Sequence, residues 1–203
     1  MLKPVTLESE LIKLEPITME HLSDFYNAGN FAEVWRYIQS NPCENVEIAR
    51  SWIVGMIDEM ATGSQVAFVI INKQNNKIVG STRLFRVNEV DRALEIGHTF
   101  ISPAFQRSHV NSHAKYLLLE YVFETLDFTR VEICTHENNL QSRNAIARIG
   151  GKFEGILRKN RRIEDGSYRN TALFSIINDE WPQVKANLLK TGQCKEVFSY
   201  VSN

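Results

Sequence analysis

The chain has 203 residues, 43% of them apolar, with 23 basic and 24 acidic side chains and a formal net charge of −1. That much apolar content supports one folded domain with a real core, taken over residues 1–203. The two signs are mixed along the length, which leaves no electrostatic footprint for nucleic acid and no basic stripe for a membrane surface. Three cysteines (Cys43, Cys134, Cys194) are few, odd in number and without metal-ligand spacing, which fits a reducing compartment and no metal. Met1-Leu-Lys-Pro-Val has no apolar signal core, and no apolar run approaches the length of a bilayer span. A cytoplasmic protein is the expectation.

Leu7 to Leu14 reads as a first strand, with Ile12 and Leu14 on one side. Thr18 can cap a helix carrying Leu22, Phe25 and Tyr26. Asn45 caps a clearer one, in which Ala49, Trp52, Ile53, Met56, Ile57 and Met60 recur at helical spacing and which Gly63 ends. Val66 to Ile71 is a β-branched run, and Gln74-Asn-Asn76 turns it back into Ile78 to Phe85 as a hairpin. Arg92 to Ile101 is a further strand. Strict alternation puts Leu94, Ile96, His98 and Phe100 on one face and Glu95, Gly97, Thr99 and Ile101 on the other.

A helix from Ser112 to Leu126 shows Ala114, Leu117, Leu118, Tyr121 and Val122 on a broad apolar face. A strand from Arg130 to Thr135 follows, and Asn139 opens a second helix that stops at Gly150-Gly151. Lys152 to Ile163 and Tyr168 to Ile177 flank Asp165-Gly166, again a hairpin signal, and Trp181-Pro182 opens a short terminal helix. The pattern predicts an α/β (α+β) fold with a mixed, mostly antiparallel sheet and helices on both faces.

Gln106 to Gly150 carries the most chemistry. The polar turn Gln106-Arg-Ser-His-Val-Asn111 feeds a helix whose first four N–H groups have no partner inside it, so the turn is a ready anion site. The next strand and Asn139-Leu-Gln-Ser142 place a second polar set nearby. Together they suggest a slot for a long phosphorylated ligand with a reactive end.

These segments, together with Leu94-Glu-Ile-Gly97, Arg130-Val131, Gly150, Glu154-Gly155, Asp165-Gly166, Phe174-Ser175 and Glu180-Trp181, resemble in order and spacing the GNAT acetyltransferase superfamily. Within it the chain resembles the ribosomal-protein N-acetyltransferase-like (RimJ/RimL) branch, and the likeness runs from about Thr6 to about Val184. It implies a single acetyltransferase domain with a core over about 6–184 and a C-terminal extension over 185–203. It also implies a strongly twisted sheet whose two central strands splay, acetyl-CoA as co-substrate and no metal. The implied reaction moves an acetyl group to a primary amine of a small molecule or of a peptide or protein N-terminus, directly within a ternary complex. A homodimer is left open.

By the same resemblance, Gln106, Arg107, Ser108, His109, Val110, Asn111 and Ser112 take the place of the pyrophosphate loop. His109 and Asn111 stand where glycines are usual. Both residue types visit positive φ more readily than most, so either the loop persists with a bulkier rim or it is blocked. The backbone of Thr99, Phe100 and Ile101 would hold pantetheine as an added strand edge. Glu95 would take the proton of the incoming amine, or else form a cross-strand ion pair, for instance with Arg83 or Arg169.

Asn139 takes the place of an asparagine that bonds the pantetheine arm. Ile146 stands where many members carry a tyrosine that protonates the leaving thiolate, which leaves Ser142 as the candidate acid. Plain helix capping is the alternative for Asn139 and Ser142. Trp35 and Tyr37 are candidates for the acceptor wall and Trp52 for the core. Cys134 reads as a small core hydrophobe and Lys159 to Arg162 as a solvated basic run. The missing glycines and tyrosine motivate one alternative function, a relative that binds CoA or another ligand without turnover, as a sensor or structural subunit.

Overall fold

The structure, a computed structural model, describes residues 1–163 and 166–190 and the backbone of 200–201. Asp165, Cys194 and most of the extension past 190 lie outside the described residues. The predicted first strand is two, β1 (Thr6–Glu8) and β2 (Ile12–Pro16), because the Ser9 hydroxyl accepts from the N–H groups of Leu11 and Ile12 and holds a turn between them. Next come β3 (Val66–Asn72), β4 (Lys77–Asn88), β5 (Ala93–Ile101), β6 (Arg130–His136), β7 (Lys152–Arg162), β8 (Tyr168–Ile177) and a short β9 (Tyr200–Val201). They form one sheet in the order β7-β8-β6-β5-β4-β3-β2-β1-β9. Every pairing is antiparallel except β5 with β6. The predicted mixed, mostly antiparallel sheet is what the chain forms.

Asn45 caps α3 (Val46–Ala61) by accepting from the Ile48 N–H at 2.9 Å, and Gly63, at φ +74°, lets the chain turn away. Thr18 precedes a short 3₁₀ turn rather than a helix proper, and that turn leads into α1 (Leu22–Gly29). A short α2 (Ala32–Trp35) follows. α4 (His109–Glu120) starts three residues before the predicted Ser112 and runs on as a π turn over Tyr121–Thr125. α5 (Leu140–Arg148) and α6 (Trp181–Lys190) complete the set.

Adjacent residues of β4 show that helices cover both faces. Thr82 accepts from Lys115 of α4, while Arg83, pointing the other way, reaches Met56 of α3. β3 lies between these layers, and all seven of its residues are buried, which is why it reads as a continuous apolar run.

Two irregularities shape the centre of the sheet. On β5, Gly97 pairs with Arg83 and Phe100 with Ser81, so β5 has one residue more than β4 between those pairs. The extra residue is accommodated where His98 adopts φ +47°. On β4, Phe85 pairs with Glu95 and Asn88 with Ala93, with Arg86 at φ +54° in the complementary bulge. The first bulge overturns the expected alternation. Phe100 now shares the face of Gly97 and Glu95, and Thr99 shares that of Ile96. A single inserted residue reverses the period-2 pattern beyond it.

Gly80 lies opposite Ile101, and a Cβ there would sit 2.3 Å from the Phe100 carbonyl oxygen. Because that neighbour is backbone, Gly80→Ala is expected to lower stability by about 1–3 kcal/mol in urea titrations. A midpoint equal to that of the parent would show that β5 can give way there.

Candidate active site

β5 and β6 pair only from Ala93–Arg130 to Glu95–Glu132, although β5 runs on to Ile101 and β6 to His136. Beyond Glu95 the two strands separate. β6 stays zipped to β8 along its whole length, while the bulge at His98 twists β5 away. Each strand then feeds a helix, β5 through a 3₁₀ turn (Pro103–Phe105) into α4 and β6 into α5. Two helix N-termini thus follow the carboxyl ends of the parallel pair, where open α/β sheets bind ligands.

Gln106 ties this end together. Its amide donates to the Ile101 carbonyl at 3.1 Å and its side-chain oxygen accepts from Gln141, in the first turn of α5, at 3.3 Å. Arg107 is exposed and takes φ +58°, so the turn uses a left-handed residue without glycine. Ser108 is the N-cap of α4, with its hydroxyl accepting from the Val110 N–H at 3.3 Å and donating to the Phe105 carbonyl at 2.6 Å. The Val110 side chain is fully buried. The His109 ring lies edge-on to His113 and its Nε2 is buried without a partner, so the imidazole turns inward and leaves the rim to backbone. Asn111 and Ser112 are half-buried in the first turn of the helix.

Along the β5 edge, Phe100 buries its ring against Phe25 and Trp35, and Thr99 turns its hydroxyl to the opposite face. There Lys115 donates to Thr99 at 2.7 Å and to Thr82 at 3.3 Å. Burial with no carboxylate bonded to it pulls the Lys115 ammonium down to about 7. This lysine fastens the bulge from beneath, and nothing in the sequence pattern pointed to it. Asn139 is the N-cap of α5 and accepts from the Ser142 N–H at 3.0 Å, so capping occupies its side-chain oxygen.

Glu95 lies at the base of the separation and is 4% exposed. Its partners are Arg86 at 3.1 Å and Arg161 at 3.7 Å, not Arg83 or Arg169. The bulge on β4 aims Arg86 at it, and an irregularity of β7 with Lys159 at φ +50° brings in Arg161, which leaves that part of the basic run far from solvated. Burial raises the Glu95 carboxyl above its usual range against the pull of Arg86. Cys134 on β6 bonds to Glu95, and burial first and then Glu95 push its thiol up to about 12. A thiol so protonated is no nucleophile at neutral pH.

On the Glu95 side of the sheet a small recess opens between β5 and the α1–α3 layer. Phe25, Trp35, Trp52, Ile38 and Phe100 form its apolar wall, with Ser40, Pro42, Ser81 and His98 completing it. Trp52 stacks on Phe25 and lines the recess as well as the core. Tyr37 stands outside that lining, its ring tilted against that of His136 and its carbonyl accepting from Arg169 at 2.6 Å.

A family model for the acetyltransferase (GNAT) domain matches residues 12–152. The chain belongs to this family. Among curated relatives it is 26% identical to the spermidine N(1)-acetyltransferase of Escherichia coli (strain K12) over 84% of the chain and 88% of that protein. Among solved structures it is similar to a GCN5-related N-acetyltransferase from Brucella melitensis, with 26% identity, a TM-score of 0.85 and coverage of 97% and 91% of the two chains. It shares its fold with Mycobacterium smegmatis RimJ, solved with CoA-disulfide, at 20% identity and a TM-score of 0.81 over 97% and 96%.

The GNAT assignment makes this chain an acetyltransferase, and its relatives carry N-acetyltransferase names, which supports transfer over the sensor or structural subunit. Among the described residues, no helix is long and apolar enough to cross a membrane, and no group of three or more His, Cys, Asp or Glu could hold a metal.

Proposed function

We propose that this GNAT enzyme binds acetyl-CoA between the separated ends of β5 and β6 and passes its acetyl group to a primary amine held in the recess. One observation carries the reading: the parallel pairing stops at Glu95, and beyond it lie two helix N-termini on one side and an aromatic recess on the other. The turn suits a diphosphate because Arg107 is exposed at the surface and the first turn of α4 offers N–H donors at His109 and Asn111. The free edge of β5 at Thr99 to Ile101 can take pantetheine as an added strand.

Glu95 then accepts the proton of the amine as nitrogen bonds to the acetyl carbon, directly or through one water. The carbon–sulfur bond breaks, and Ser142, on the first turn of α5, or solvent protonates the sulfur, giving an N-acetylated amine and free CoA thiol. With both substrates oriented in one cleft, position supplies much of the acceleration. The whole chain, 1–203, would act as one acetyltransferase domain in the cytoplasm.

The acceptor class is a small-molecule or peptide amine; spermidine is the one named for the Escherichia coli relative. Incubation with acetyl-CoA and a panel of primary amines, followed by free thiol, tests the proposal. Amine-dependent thiol release is the expected result. Acetyl-CoA binding without thiol release for any amine would overturn it.

A further inference from the structure

The charges around the recess are lopsided. Arg83, Arg86, Arg161 and Arg169 converge on a region whose central carboxylate is Glu95, and Glu95 is engaged by Arg86 and Arg161. Arg83 and Arg169 have no carboxylate within ion-pair distance among the described residues. Arg83 rests on neutral partners, Met56 Sδ at 3.3 Å and Gln65 Oε1 at 3.1 Å, and Glu59 acts on it only as a more distant charge. Arg169 holds the Tyr37 carbonyl.

In both arginines the Nε atom is shut off from solvent and has no acceptor. A buried donor left open costs about 1–3 kcal/mol, and the charges of both arginines act on His98 of the recess wall, so the pair points to an acceptor supplied from outside. His98, which lines the recess, lies within the field of both, and burial together with Arg83, Arg169 and Arg86 takes its imidazole down to about 3. The recess wall is therefore positive in potential and carries no proton on His98 at neutral pH.

We infer that the acceptor bears a carboxylate beside its amine, and that Arg83 and Arg169 receive that carboxylate. The inference rests on the transfer reading above and names its substrate class: an amino acid or short peptide with a free carboxylate. The rival is a cationic acceptor held over the rings of Phe25, Trp35 and Trp52. A cation over an aromatic face gains about 0.5–2 kcal/mol. Two like charges about 8 Å apart, at an effective dielectric of about 20, repel by about 2 kcal/mol. With several guanidiniums nearby and Glu95 already paired, repulsion prevails.

The test uses the full chain with acetyl-CoA and a panel of α-amino acids, each beside its own amide, with spermidine as the cationic probe and thiol release as the readout. For the preferred side chain, kcat/KM for the acid should exceed that for the amide by roughly ten- to a hundredfold, the range of a charge-assisted hydrogen bond. Arg83→Gln and Arg169→Gln should each pull that ratio toward one, mainly through KM for the acid. The ratio is robust, because general damage to the fold lowers both members alike. Equal rates for acid and amide, faster acetylation of spermidine, or a ratio untouched by both variants would overturn the inference and leave the transfer reading standing. Acetyl-CoA binding with no thiol from any amine would overturn both.

Discussion

Glu95→Gln is expected to lower kcat/KM for the amine by roughly 10²–10⁴-fold while affinity for acetyl-CoA changes little. The carboxylate stands where β5 and β6 part, 4% exposed, and its amide replacement keeps shape and a hydrogen-bonding oxygen toward Arg86 but cannot take a proton. Burial holds the Glu95 carboxyl above its ordinary range, so the active, ionised form is lost at a higher pH than for a solvated glutamate. Activity in the parent should rise with pH through that raised value, and this limb should vanish in the variant. The limb set by the amine itself should remain. Unchanged turnover in Glu95→Gln would remove this residue from the mechanism and leave its ion pair as its role.

Lys115→Met should flatten the dependence of stability on alkaline pH and make the protein more stable at pH 7. In the folded protein the ammonium is pulled from 10.5 down to about 7 by burial. As pH falls from 10.5 toward 7, the unfolded chain takes up the proton and the folded chain does not, so stability declines across that window. Below about 7 both states are protonated and the decline ends. The difference between the window's ends is on the order of 4 kcal/mol. Methionine fills the same space without a charge, and Thr82 and Thr99, 2.8 Å apart, keep each other as hydrogen-bond partners. Urea midpoints for both proteins at pH 7 and pH 10 measure the effect. Equal pH dependence in the two would show that water or a rearranged side chain reaches Lys115. The penalty is offset by the bonds of Lys115 to Thr99 and Thr82, which hold the bulge that opens the cleft.

Several features were legible because local chemistry fixes them. Asn45 and Asn139 cap their helices as their spacing indicated, and Tyr168–Ile177 forms a strand with the predicted ends. The order of polar turn, helix, strand and Asn-x-x-Ser carries the family likeness within the sequence itself. What stayed hidden depends on backbone irregularity and on partners distant in sequence. His98 at φ +47° reverses the faces of β5, and histidine at that position is a weak signal beside an otherwise regular alternation. The start of α4 moved from Ser112 to His109 because Ser108 caps it, and a serine in a polar turn has several equivalent neighbours. Arg86 and Arg161 reach Glu95 only through bulges, so pairing by register alone suggested other arginines. Lys115 is a charged side chain within a helix buried on nearly all sides, and pattern alone reads such a residue as solvent-facing.

The most direct test of the cleft is hydrogen–deuterium exchange with and without CoA, alongside calorimetric titration of the same ligand. Binding should protect amides of Thr99 to Ile101, of the turn and first helical residues at 107–112, and of the start of α5 at 140–142, while leaving β1 and β2 unchanged. CoA that binds without protecting those three segments, or that does not bind at all, would contradict the assignment of the parted strands as its seat.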